Sequence, residues 1–375
     1  MNNRVRNSNY ELMRIVSMFL IVLCHVINLG HVLHNCVNPS LQLIFKFIMY
    51  FTIVHVNSFV LVSGYYQSTS TFKQSSVWSI INANWFYRIV IMVLFLILGF
   101  INVDKVTFIK EAFPLNINEY WFIRNYILLY CLSPFINMAL NSFDKKGFKK
   151  LLLVLFIIFS LIPTFTGNNF LNNNGYTLYS FVCLYIVGAY LRRYPLEKSY
   201  LFKNTSKGLY QLILLFTFFF MLIANFVNTS FFSFILKYNP VIKEFGGYIV
   251  NTRLSYSNPF IVIQSIAYFL FFGTLTIKNN KIINKLASLT FGVYLIHENN
   301  FVRSLLYTWI GIDGHKIYSY SFLINVFCSA IGIYVVCSLI EFLRQILFKF
   351  IYDRKISLKI RTKYYNYISG IKFNN

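Results

Sequence analysis

The sequence predicts an all-α protein: a polytopic membrane helix bundle of about ten transmembrane helices, with both termini in the cytoplasm. Of its 375 residues, 57% are hydrophobic and only 12% are charged, and the mean hydropathy is +0.58. Long segments lack Asp, Glu, Lys and Arg altogether, as at 151–191. Since about 20 apolar residues are enough to cross the hydrocarbon core, such segments are long enough to span it.

Turn-forming residues divide the apolar sequence into separate helices. Asn and Gly at 167–175, for example, interrupt the longest uncharged segment, because both residue types favour turns over helix interiors. The predicted helices lie near residues 12–31, 42–63, 79–101, 121–140, 150–166, 176–192, 208–227, 257–277, 286–307 and 319–348.

The distribution of Lys and Arg predicts the orientation. Basic residues concentrate in alternate loops, for example at 145–150 and 192–207, and in the tail after 349. Because Lys and Arg collect on the cytoplasmic side, the N-terminus is expected inside. We predict one membrane domain at 1–350 and a basic cytoplasmic tail at 351–375. The net charge of +23, which in a soluble protein would indicate nucleic-acid binding, then reflects topology and attraction to anionic lipid.

The cysteines do not indicate a metal site. The six are scattered, with no Cys-x-x-Cys spacing, so neither a zinc site nor a disulfide framework is predicted. We expect no metal to be required.

Arg14 and His25 are the most informative pair in the sequence. They are eleven positions apart in the first predicted helix, close to three turns, so they share a face and lie roughly 16 Å apart along the axis. Ionisable groups are costly inside a bilayer and mark functional sites. His25 can act as a general base, and Arg14 can clamp phosphates of a cytoplasmic cofactor. The alternatives are a hydrogen-bonded interhelical histidine, and an arginine that anchors to lipid or pairs with Glu11.

His297 and Glu298 are predicted at a depth comparable with that of His25. Such polar groups need partners or a wet cavity in the membrane, so they either form an interhelical clasp or belong to the site. Glu298 can orient a histidine and stabilise its protonated form. Arg88, deep in the third predicted helix, can bind an anion or pair with Glu298. Either Arg88 or donors around His297 are candidates to stabilise an oxyanion.

Two further pairs have simpler interpretations. Glu341 and Arg344, at i and i+3, are predicted to form an intrahelical ion pair. Lys46 and His55 are nine residues apart on one helix and point to opposite faces, so both cannot line one site.

These motifs resemble the acyltransferase-3 family of integral-membrane acyltransferases, and most closely its branch of bacterial surface-polysaccharide O-acetyltransferases. The Arg-x10-His pair in the first helix of that family corresponds to Arg14 and His25. Other matching segments are Ser63-Gly64-Tyr65, the stretch from Trp121 to Asn137, and Phe291 to Asn299. The sequence departs from the Arg-x-x-Arg pair of many members, since Trp85 takes the first position and Arg88 the second.

The resemblance implies an acetyl-CoA donor and, as acceptor, a glycan hydroxyl on capsule or another surface polysaccharide or its lipid-linked precursor. It implies a multi-pass protein of the bacterial cytoplasmic membrane. Catalysis would involve His25, His297 and Glu298, and cofactor binding would involve Arg14 and Arg88. The alternative is a transporter or flippase for a glycan-lipid intermediate, which helices broken at the midplane would favour. A glycan polymerase is a further alternative, which large Arg-rich outer loops would favour.

Overall fold

The structure, a computed structural model, describes residues 6–113, 120–166, 173–238 and 254–353. These residues form helices and no β-strand, with one isolated bridge between Cys36 and Ile317, so the predicted all-α class is confirmed. Within the described residues six helical segments are long and apolar enough to cross a membrane: Ser8–Leu29, Pro39–Gln67, Gln74–Ile97, Lys145–Thr166, Lys207–Phe231 and Phe322–Phe350. The count of ten spans and the location of the termini stay predictions, and residues 354–375 of the predicted tail lie outside the described residues.

Many of the helices begin at an Asn, Asp or Thr whose side chain accepts a hydrogen bond from a first-turn amide. The helices are α1 (Ser8–Leu29), α2 (Val32–Asn35), α3 (Pro39–Thr52), α4 (His55–Gln67), α5 (Gln74–Ile97), α6 (Lys105–Ala112), α7 (Trp121–Asn141), α8 (Lys145–Phe156), α9 (Ile162–Thr166), α10 (Leu178–Arg193), α11 (Lys207–Tyr238), α12 (Pro259–Thr274), α13 (Lys281–His297), α14 (Asn300–Trp309) and α15 (Phe322–Asp353). A π-helical turn, Ile157–Leu161, joins α8 to α9.

The helix predicted near 42–63 is divided into α3 and α4 by a break after Thr52. The hydroxyls on the two sides of the break bond to carbonyls one turn back, Thr52 to Met49 at 3.0 Å and Ser58 to His55 at 2.7 Å. Such bonds compete with the helical ladder and bend helices. His55 is therefore the first residue of a new helix.

The helix predicted near 286–307 is also divided. α13 ends at His297, and the Asn299 side chain accepts a hydrogen bond from the Phe301 amide at 3.1 Å, which starts α14. The end of α13 places His297 and Glu298 next to one another at a helix terminus.

The first helix, α1, lies at the centre of the bundle and packs against α3, α4, α12, α13 and α15. Two contacts fix its register against α4: Ser17 Oγ lies 2.9 Å from Ser58 Oγ, and the rings of Tyr10 and Tyr65 are 5.2 Å apart. From Ser17 back to Tyr10 on α1, the partner on α4 advances from Ser58 to Tyr65, so the two helices are antiparallel. In this register His55 lies opposite Leu20.

The pairing of α4 with α10 depends on two glycines. A Cβ atom on Gly64 would overlap the carbonyl oxygen of Tyr185, and one on Gly188 would overlap that of Leu61. Small residues let helix backbones approach closely in a membrane protein. The glycine of the Ser63-Gly64-Tyr65 motif therefore has a packing role that fixes α4 in place.

A non-helical segment at 254–258 lies inside the protein, immediately before α12. Its backbone carbonyls are satisfied by side chains: Asn57 donates to the Tyr256 carbonyl at 2.9 Å, and Ser160 donates to that of Ser257 at 2.6 Å. Irregular backbone within a membrane protein is tolerated where it is buried or lines a cavity. This segment brings the Tyr256 ring into the interior.

Candidate active site

A cavity of about 500 Å³ follows α1 through the interior. It extends from Arg6, just before the first turn of the helix, past Arg14 to His25. Its other walls come from α4, α7, α13 and the segments that precede α10 and α12. The two residues predicted to share a helix face thus line one cavity, and a ligand bound at Arg14 can extend to His25 without leaving it.

At His25 three polar side chains converge from α1 and from the end of α13. The Nδ1 atom of His25 lies 3.1 Å from Nε2 of His297 and 3.0 Å from a carboxylate oxygen, Oε2, of Glu298. His297 is completely buried, whereas the His25 side chain retains 21% exposure. The structure therefore brings together the three residues predicted as catalytic, and only His25 among them lines the cavity.

The hydrogen bonds assign the histidine tautomers. His297 Nδ1 lies 2.6 Å from the Val293 carbonyl oxygen, which can only accept, so this nitrogen carries a proton. In neutral His297 the other nitrogen, Nε2, is then bare and accepts from His25 Nδ1–H. His25 consequently presents an unprotonated Nε2, the nitrogen needed by a general base.

Glu298 provides negative charge behind His25. Its Oε1 accepts a hydrogen bond from Arg303 at 2.7 Å, and its Oε2 faces His25. The arginine fixes one carboxylate oxygen, which leaves the other directed at Nδ1 of His25. A carboxylate beside a histidine corresponds to the acid and the histidine of a catalytic triad, with His297 as an additional acceptor.

Arg14 lies near the opposite end of the cavity. Its guanidinium pairs with Glu11 at 3.0 Å on the same helix and retains 30% side-chain exposure. Both Glu11 and Arg14 line the cavity, together with Arg6. Since the pair lies on the cavity wall, a ligand in the cavity can reach the Arg14 guanidinium as well as Glu11.

Arg88 lies elsewhere. It is completely buried, and its Nε donates to Glu111 at 2.8 Å while one of its terminal nitrogens donates to the Lys110 carbonyl at 2.9 Å. Both partners belong to α6, so Arg88 holds the C-terminal end of that short helix. It does not line the cavity, and this placement gives no support to the predicted role in cofactor binding.

One cavity residue was missed by the sequence reasoning. His55 lines the cavity and is only 1% exposed, and neither ring nitrogen has a hydrogen-bond partner among the described residues. The rings of Trp121, Tyr176 and Tyr256 pack together beside it, with Tyr256 meeting His55 edge to face at 5.8 Å. The only sequence signal for His55 was that it, like His25, is a histidine within an apolar predicted helix.

His25, His297 and Glu298 also offer three ligand atoms within 4.8 Å of one another, which is compatible with a divalent ion. Two contacts already engage these groups in the structure. The His25–His297 contact already forms a hydrogen bond, and Arg303 neutralises Glu298. The expectation that no metal is required stays a prediction.

The fold and the cavity define a class of protein: a membrane helix bundle with a partly exposed histidine at one end of an internal cavity and an arginine near the other. The chain belongs to the acyltransferase-3 family, since residues 7–342 match the family model, which is described as an acyltransferase domain. It is therefore a membrane acyltransferase. Comparison with curated proteins and with solved structures gives no match.

Proposed function

We propose that this protein transfers an acetyl group from cytoplasmic acetyl-CoA to a hydroxyl of a bacterial cell-surface glycan, either capsule or another polysaccharide. The observation that carries the proposal is the bare Nε2 of His25, supported by His297 and Glu298, on the same cavity as Arg14. The protein would act as a multi-pass O-acetyltransferase of the bacterial cytoplasmic membrane, in contact with membrane lipid.

Donor binding follows from the shape and charge of the cavity. Arg6 and Arg14 lie at one end, where guanidinium groups can bind the phosphates of CoA. The roughly 16 Å between Arg14 and His25 along the helix axis is similar to the extended length of a pantetheine arm. Phosphates at Arg14 would therefore place the thioester near His25.

The transfer needs one base and no change of oxidation state. The acceptor hydroxyl oxygen attacks the thioester carbonyl carbon, and its proton passes to His25 Nε2. Collapse of the tetrahedral intermediate breaks the carbon–sulfur bond, and the thiolate takes up the proton from His25. Glu298, 3.0 Å from Nδ1, stabilises the imidazolium between these two events.

A glycan acceptor suits the aromatic part of the cavity wall. Trp121, Tyr176 and Tyr256 form a cluster with ring centroids 4.4–6.0 Å apart. Flat aromatic faces pack well against the C–H faces of a pyranose ring. The acceptor is either the polysaccharide or its lipid-linked precursor.

The test uses purified protein in detergent with radiolabelled acetyl-CoA, with and without surface glycan. We expect glycan-dependent transfer of label that is lost in His25→Ala, while His34→Ala, a change at an exposed histidine of α2, transfers normally. Removal of a general base costs roughly 10²–10⁴-fold in rate. Movement of a glycan-lipid across vesicles without label transfer would favour a flippase, and normal transfer by His25→Ala would remove His25 from the mechanism.

A further inference from the structure

Acyl transfer from a thioester creates negative charge on the carbonyl oxygen, and a preorganised hydrogen-bond donor at that oxygen lowers the barrier. The donors that the sequence nominated are occupied. Arg88 is bound to α6, and the Nδ1–H of His297 is bound to the Val293 carbonyl. The donor must therefore be another group on the cavity wall.

His55 has the properties that such a donor needs. It lines the cavity, its side chain is buried, and within the described part of the chain both ring nitrogens are free of hydrogen-bond partners. A buried polar group without a partner costs free energy, so its persistence in a cavity points to a ligand that completes it. A neutral imidazole always carries one N–H, which can donate to an oxygen.

The helix register places His55 between Arg14 and His25, the two ends of the part of the cavity in which acetyl-CoA is proposed to bind. His55 on α4 lies opposite Leu20 on α1, five residues from His25 and six from Arg14. At 1.5 Å per residue these separations are roughly 7.5 Å and 9 Å along the axis. His55 and His25 line the same cavity. A thioester between His55 and His25 would have the base, His25, on one side of its carbonyl group and the hydrogen-bond donor, His55, on the other.

The backbone contributes in the same direction. His55 is the first residue of α4, and the first amides of an α-helix have no intrahelical acceptor and carry a partial positive charge. The break after Thr52 thus begins a new helix at the residue that carries the unpartnered imidazole.

We propose that His55 is a catalytic residue that donates its ring N–H to the carbonyl oxygen of the acyl thioester as that oxygen becomes negative. The inference rests on the proposed acyl transfer. As the hydroxyl oxygen bonds to the carbonyl carbon, the carbonyl electron pair moves to its oxygen, next to His55. When the carbon–sulfur bond breaks, the pair returns to form the carbonyl, and His55 keeps its proton throughout.

The first experiment compares His55→Leu, which has no donor, with His55→Gln, which keeps an N–H at similar reach. We expect His55→Leu to lower kcat by roughly 10²–10³-fold with a nearly unchanged KM for acetyl-CoA. His55→Gln should recover a large part of that loss. Elution profile and thermal unfolding in detergent establish that both variants fold.

The second experiment is independent of turnover and of the stability of the variants. It measures the binding of two inert donor analogues, S-acetonyl-CoA, which keeps a carbonyl, and S-propyl-CoA, which has none. Wild type should prefer the carbonyl analogue, His55→Gln should keep the preference, and His55→Leu should lose it. Equal affinities in wild type, or wild-type kcat in His55→Leu, would overturn the role of His55.

The two proposals fail in different ways. If wild type transfers no label to glycan, the proposed function fails, whereas the analogue preference still reports whether His55 touches a carbonyl. If His25→Ala is inactive but His55→Leu turns over normally, acyl transfer stands and only the assignment of His55 fails.

Discussion

Glu298 and Glu341 are both carboxylates in the interior beside α13, and each lies 2.7 Å from an arginine. Glu341 is held by Arg344 through two nitrogens and also accepts hydrogen bonds from Tyr87 and Gln345. Glu298 has a single arginine on Oε1. Its Oε2 accepts no hydrogen bond within the described residues and lies 3.0 Å from Nδ1 of His25.

On this difference we assign Glu341 a structural role and propose a mechanistic role for Glu298. The negative charge of Glu341 is saturated by fixed donors, and Gly292 leaves room for it, since a Cβ there would overlap the carboxylate. That charge can stabilise only the packing of α13 against α15. Glu298 has one oxygen fixed by Arg303 and the other directed at a histidine that faces a cavity. The negative charge of Glu298 is therefore placed where it can stabilise a proton on His25.

Among changes at the arginine–carboxylate pairs, Glu298→Gln is expected to have the largest effect on catalysis. An amide keeps the shape but cannot stabilise the imidazolium, so kcat should fall by roughly 10²-fold or more, with little change in KM for acetyl-CoA. Steady-state kinetics in detergent measure this. Treatment with a chelator should leave wild-type turnover unchanged. Inactivation by the chelator and restoration by Zn²⁺ would instead make Glu298 a metal ligand.

Arg14→Lys extends the comparison to a third arginine–carboxylate pair, Arg14 with Glu11, which is partly exposed at the other end of the cavity. Lysine keeps the charge but loses the planar fork, so acetyl-CoA binding should weaken by roughly 1–3 kcal/mol, about 5–150-fold in Kd. Calorimetry with the inert analogue S-propyl-CoA tests this. Unchanged affinity in both Arg14→Lys and Arg14→Ala would return Arg14 to a role as a lipid anchor.

The smallest effect on catalysis is expected for Glu341→Gln, which serves as the matched control for Glu298→Gln. Loss of the buried charge leaves Arg344 underpartnered and should destabilise the protein by about 1–3 kcal/mol, while the folded enzyme keeps its kcat. Thermal unfolding and kinetics on the same preparation separate these quantities. A large fall in kcat without destabilisation would remove the distinction between the two carboxylates.

Hydropathy and helical periodicity predicted the features of this molecule that are determined within a single helix. The all-α class follows from the uncharged segments, and the eleven-residue spacing correctly indicates that Arg14 and His25 lie along one face. The comparable depth of His25 and His297 led us to expect one polar cavity. The structure places these residues in contact, and their chemical roles stay predictions.

Features that depend on breaks and on partners from distant segments were not predictable. The break between α3 and α4 has no Gly or Pro at Ile53 or Val54, so the sequence read as one helix and His55 was assessed only against Lys46. Arg88 was expected at an anion site because its partner, Glu111, belongs to α6, a short helix in a segment that the sequence presents as a loop. Only tertiary packing determines such contacts.

Two of the three residues of the aromatic cluster, Tyr176 and Tyr256, lie just before short helices. α10 and α12 each have 16 residues, about 24 Å of helix, against a hydrocarbon core of about 30 Å. Tyr176 and Tyr256 precede these helices, so the cavity reaches the ends of two helices that are shorter than the hydrocarbon core is thick. A cytoplasmic donor and an outer acceptor would then meet after each has crossed only a fraction of the membrane, and neither substrate would need a transport step of its own.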